Sequence, residues 1–97
     1  MKGSINPYEE LANAIIAQAV QDYRAELRFL KRHPHTPDLD TEEAESDEQR
    51  RRLKARIEKH ECEQSRIEVF FRSEWFMLLT DLDGDVLMRR VREMEAV

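Results

Sequence analysis

Three groups of residues in this chain have the types and spacing that chemistry uses. Asp81, Asp83 and Asp85 alternate around Gly84, as oxygen ligands do in a calcium loop. A calcium loop beginning at Asp81 would need Gly at its sixth position and Glu at its twelfth. Val86 and Arg92 stand there instead, so these acids read as helix caps. His60-Glu61-Cys62 brings an imidazole and a thiol close together, with His33 and His35 flanking Pro34. Residues two apart do not share a helix face, so His60 and Cys62 cannot easily grip one ion. His60 reads instead as a half-buried histidine on a helix seam, and the expectation is no metal and no cofactor.

The third group is basic. Arg50-Arg51-Arg52-Leu53-Lys54-Ala55-Arg56 and the trio Arg89, Arg90 and Arg92 could contact phosphates. Residues 70–95 can even be read as helix-turn-helix with Arg89 and Arg90 on the recognition helix. That helix lacks the Asn, Gln or Ser that usually reads bases. The first run follows seven acids in residues 34–49, a segment that holds no Lys or Arg, and a solvated helix face has the same composition. No Gly-rich phosphate loop, nucleophile elbow or positioned His–carboxylate pair is present. No catalytic residue is therefore expected, and the chain reads as a non-enzyme.

The elements that would hold these groups are helical. The chain has 97 residues, 38% charged and 40% hydrophobic, with two glycines and three prolines. That is one domain at most, with too little turn chemistry for a many-stranded fold. The net charge of -5 weakens a general case for nucleic acid. No apolar run is long enough to span a bilayer, and no signal-peptide block opens the chain. A single cysteine excludes an internal disulfide. These features suit a cytoplasmic protein without a membrane contact.

After a frayed lead over 1–6, Asn6-Pro7 is a helix start, with Asn as cap and Pro at the first helical position. Tyr8, Leu11, Ile15, Ala19, Tyr23, Leu27 and Leu30 then follow the spacing of an amphipathic helix. Lys31, Arg32 and His33 suit its last turn and Pro34 stops it, so the first helix is expected over 7–33. Ile15 and Ile16 point to adjacent faces, and both would need contact, from a third helix or from a second subunit. An acidic connector follows over 34–52. Leu53, Ile57, His60, Gln64, Ile67, Phe71, Trp75, Leu78 and Leu82 alternate spacings of four and three, a seam that predicts one helix over 53–80. Its length matches the first helix, so the two would lie antiparallel. Asp81 or Asp83 caps a last helix over 84–95, its apolar side formed by Val86, Leu87, Val91 and Met94. The expected fold is all-α: a long antiparallel hairpin plus a short C-terminal helix, with a dimeric bundle as a way to bury the wide stripe.

Four of the seven aromatic residues (Phe70, Phe71, Trp75 and Phe76) fall within one short stretch. They cover more than one helix face, and core alone is the default reading; Phe70 and Phe76 lie beside the seam positions, from which one could reach the surface as a partner anchor. Phe70, Trp75 and Phe76 are the candidate anchors, with Arg89 and Arg90 as candidate charged contacts. The acidic run 38–48 is either a docking arm for a basic surface or a solvated linker.

The stretch from Ile67 through Phe76 and on to Gly84, with Asn6-Pro7-Tyr8-Glu9-Glu10-Leu11 and Asp22-Tyr23-Arg24, resembles small uncharacterised helical proteins carried by phages and conjugative elements of Gram-positive bacteria. The resemblance covers roughly half the chain and carries no site residues with it. It implies a mobile-element context, in which small proteins often bind and redirect a host enzyme. The expected function is thus a protein–protein interaction protein, an inhibitor of a host defence system being one concrete version, and a homodimer its expected state. The alternative is a small DNA-associated regulator using Arg50–Arg56 or Arg89–Arg92.

Overall fold

The computed structural model describes residues 6–96; the lead over 1–5 and Val97 lie outside the described residues. The fold is all-α, with no strand among the described residues. Helix α1 spans Pro7–Arg32. Asn6 Oδ1 accepts from the Tyr8 amide at 2.8 Å, and Glu9 and Glu10 sit at the positive end of the helix dipole. At the other end the His33 amide donates to the Phe29 carbonyl, and Pro34 prevents continuation.

Residues 34–47 are not a free connector. A 3₁₀ turn over Pro37–Asp40 and a short helix α2, Glu42–Ser46, fold back on the next helix. Leu39 and Ala44, the two apolar residues in an otherwise polar run, are both buried. Thr41 caps α2, accepting from the Ala44 amide and donating to the Asp38 carbonyl. Helix α3 spans Glu48–Phe71. It therefore begins ahead of the expected residue 53, because Asp47 accepts from the Gln49 and Arg50 amides. Helix α1 runs antiparallel to α3: Glu26 meets His60, while Tyr23 meets Glu68.

The expected single helix over 53–80 is two helices. It breaks at Arg72–Ser73, and α4 spans Glu74–Leu79. Ser73 Oγ donates to the Phe70 carbonyl at 2.6 Å and accepts from the Phe76 amide at 3.1 Å. One hydroxyl thus closes the end of α3 and caps α4, the local competition with helical bonding that serine offers. The break shifts the helical phase. Phe71 remains inward, but beyond the break Phe76 takes the core position, while Trp75 and Leu78 turn outward at 54% and 81% exposure.

Helix α5 spans Gly84–Glu95, capped by Asp83, which accepts from the Asp85 and Val86 amides. Its buried residues are Met88 and Val91; Val86 and Met94, expected on the inner side, are exposed. The core joins Ile16, Tyr23, Phe71, Phe76, Met88 and Val91. Phe71 and Phe76 meet edge to face at 5.6 Å, as do Tyr23 and Phe71 at 5.8 Å, the arrangement that the ring quadrupoles favour. Two polar ties brace the outside of the core. Tyr23 Oη donates to Glu68 at 2.7 Å, and burial, then that carboxylate, push the phenol pKa up to about 12. The Arg24 and Arg28 side chains hold Glu95 at 2.6 and 2.8 Å and keep its carboxyl below the usual range.

The docked 34–47 segment is held to α3 by a titrating clasp. His35 Nε2 lies 2.9 Å from Asp40, its Nδ1 lies 3.2 Å from Glu61, and Lys54 reaches Asp40 at 3.1 Å. With a carboxylate at each nitrogen, the imidazolium form donates twice. The hydrogen bonds to Asp40 and Glu61 raise the His35 pKa above its ordinary 6.5, and those from His35 and Lys54 lower that of Asp40 below 3.8. The His35 contribution is complete below pH 6.5 and is lost as pH rises through the raised folded value. The Asp40 contribution is present above pH 3.8 and is lost as pH falls through the lowered one. We therefore expect the Ala44 methyl resonance to titrate with a midpoint above 6.5. In His35→Asn that titration should vanish; its persistence would place the switch elsewhere.

Candidate functional site

The break at Ser73 decides which apolar side chains face outward. On α1, Tyr8, Leu11 and Ile15 follow a helical stripe beside the core-facing residues Ala12 and Ile16. On α4, Trp75 and Leu78 are spaced three apart and point the same way. Between the two helices lies a hollow of about 300 Å³ lined by Tyr8, Leu11, Ile15, Trp75 and Leu78 among others. A second hollow, of about 410 Å³, continues from Ile15 past Ala14, Gln18 and Ala19 to Asp22, with Phe70 as its other wall. Ile15 lines both, so the two hollows adjoin and together make a shallow, open groove along α1. Tyr8, Leu11, Trp75 and Leu78 are each more than half exposed. Single exposed apolar residues are ordinary, but a contiguous row of them rimmed by polar groups marks an interaction surface.

Of the expected anchors, Trp75 is in the groove and Phe70 forms its half-buried wall. Phe76 is not available to a partner: it is fully buried against Phe70 and Phe71. Arg89 and Arg90 are exposed on α5 away from the groove lining, Arg90 beside a small hollow with Leu82 and Val86. The structure does not bring them together with Trp75. The sequence places Tyr8 and Leu11 only in the α1 stripe. The signal that they belong to a surface was the width of that stripe, with Ile15 and Ile16 on adjacent faces.

The basic run 50–56 is largely neutralised by its surroundings. Arg50 pairs with Asp47 at 3.5 Å, Arg52 with Glu48 at 2.7 Å and Lys54 with Asp40. The Arg56 guanidinium lies over the Phe29 ring at 4.9 Å. Phosphates would have to displace these partners.

The histidines are held by packing and by carboxylates. His60 stacks on Phe29 at 3.7 Å and its Nδ1 lies 2.6 Å from Glu26. His33 packs against the same phenyl ring at 4.6 Å. The two carboxylates of the His35 clasp approach opposite ring nitrogens, so the three groups do not converge on one point. Among the described residues no three His, Cys, Asp or Glu side chains are placed to share a metal ion. Cys62 is exposed.

A further hollow, about 590 Å³, lies under the α4–α5 corner, between Phe71, Arg72, Met77 and the aspartates. Asp83 is occupied in capping α5 and Asp85 in a 3.0 Å pair with Arg72, so these two acids serve the corner. No helix among the described residues is long and apolar enough to cross a membrane. No protein-family model, curated protein or solved structure matches the chain.

Proposed function

We propose that this chain is a non-enzymatic protein–protein interaction protein whose contact surface is the groove between α1 and α4. The observation that supports this reading is the exposed row Tyr8, Leu11, Trp75 and Leu78 facing a common hollow. Burying each such side chain in a complex contributes roughly 1.5–3 kcal/mol, and Trp and Tyr are the residues most often found as anchors. The sequence resemblance adds the setting of a mobile genetic element, where occupying a host defence enzyme is the concrete form of the proposal.

Leu78→Asp places a charge beside the α1–α4 hollow at an exposed position with no core role. We expect this variant to keep its helicity and thermal midpoint and to lose a stoichiometric protein complex formed by the parent chain. A complex that survives the change would remove the groove from the account.

The DNA-regulator reading is favoured by one observation only, the exposure of Arg89 and Arg90 on α5. Solution mass by light scattering, with and without duplex DNA at low and moderate salt, separates the two. A mass indifferent to DNA supports protein binding. A mass that grows with DNA and falls back with salt supports the regulator.

A further inference from the structure

The charges around the groove say what kind of chain fits it. Its lining is mostly apolar, interrupted by Gln18, and the charged residues within that lining are Glu9 at one end and Asp22 at the other. Asp22 accepts a hydrogen bond from Gln18. The basic residue one turn before Phe70 on α3, Arg66, is paired with Glu63 at 3.1 Å. Glu74 adds a further exposed acid at the start of α4. From Tyr8 to Asp22 the groove follows α1 for roughly 20 Å at about 1.5 Å per residue, the length of an ordinary helix of three to four turns.

We propose that the occupant is an amphipathic helix of a partner protein with apolar side chains at three- and four-residue spacing and Lys or Arg at both ends. This rests on the groove being the contact surface, as argued above. The apolar stripe would meet Leu11, Ile15, Trp75 and Leu78, as in other helix-in-groove complexes. The basic ends would meet Glu9 and Asp22. A second copy of this chain is the poorer occupant. Because both ends of the groove are acidic, self-pairing in either direction sets carboxylates against carboxylates, between chains that each carry a net charge of -5.

Trp75 is the only tryptophan, so its emission reports on the groove directly. The test titrates the full chain with two tryptophan-free helical peptides of about four turns, one of Leu and Lys, the other with Glu replacing Lys. The expected result is a blue shift of Trp75 and one-to-one binding with the cationic peptide, weakened roughly tenfold by high salt. Glu9→Gln with Asp22→Asn should weaken that binding, and Leu78→Asp should abolish it. Equal affinity for both peptides, lost in Leu78→Asp, would overturn the cationic occupant while leaving the groove as a contact surface. Absence of binding to either peptide would also overturn the cationic occupant, and the stoichiometric complex of the previous section would then judge the groove itself. Two findings on the free protein would also overturn it. A dimeric mass with Trp75 shielded from acrylamide would identify a second copy as the occupant. A monomeric mass with Trp75 shielded would mean the chain covers its own groove.

Discussion

Replacing Gly84 with Ala is expected to destabilise the protein by more than about 4 kcal/mol, against the direction that helix propensity gives. Gly84 is the first residue of α5, and no described glycine has a positive φ. Alanine in a helix is ordinarily worth about 1 kcal/mol more than glycine, so propensity alone forecasts a gain. Space decides the other way. A Cβ on Gly84 would stand 1.8 Å from the Phe71 carbonyl oxygen and 2.8 Å from its carbon. Both are backbone atoms at the end of α3 and cannot rotate aside. Relief requires moving α5 off α3, which opens the contacts of Met88 and Val91. Urea unfolding followed by ellipticity checks this. A Gly84→Ala protein more stable than its parent would show that α5 does not start against Phe71.

Phe76→Ala is expected to cost about 3–5 kcal/mol. The side chain is fully buried, touches Phe70 and Phe71 edge to face, and joins α4 to the core. A domain of this length is stable by roughly 5–15 kcal/mol, so this one truncation removes a large share. Trp75→Ala, one residue earlier, should cost little in stability because Trp75 is half exposed. The contrast is diagnostic. A continuous helix with the 53–80 seam would put Trp75 inside, and the two substitutions would then exchange their effects.

That contrast also shows where sequence reading stopped. The helix class, the Asn6 cap and the start of the last helix follow from local signals: periodicity, a capping side chain, proline at the first turn. The break at Ser73 does not. A serine between Arg72 and Glu74 is compatible with an uninterrupted helix; in the interrupted form its hydroxyl bonds the Phe70 carbonyl and the Phe76 amide while Phe71 and Phe76 pack together. The docked 34–47 segment was missed for a related reason. Leu39 and Ala44 give no periodic stripe, and the segment that carries them is tied to α3 by His35 with Glu61 and by Asp40 with Lys54. Gly84 looked like part of a corner, whereas its need is for space beside another helix's backbone.

The groove was half legible. Trp75 stands out by type, and the breadth of the α1 stripe says that Ile15 and Ile16 both need contact. The core covers Ile16; Ile15 was left to the groove. Which aromatic residue faces outward depends on the helical phase after Ser73, so the continuous 53–80 seam puts Trp75 inside and Phe76 beside it, the reverse of the structure.

The most direct test of the account is where a partner touches the chain. A photoreactive side chain at position 78, in the groove, is compared with one at position 58, exposed on α3. The account predicts a protein adduct of defined mass from position 78 and none from position 58. Adducts of equal yield from both positions, or from 58 alone, would contradict it.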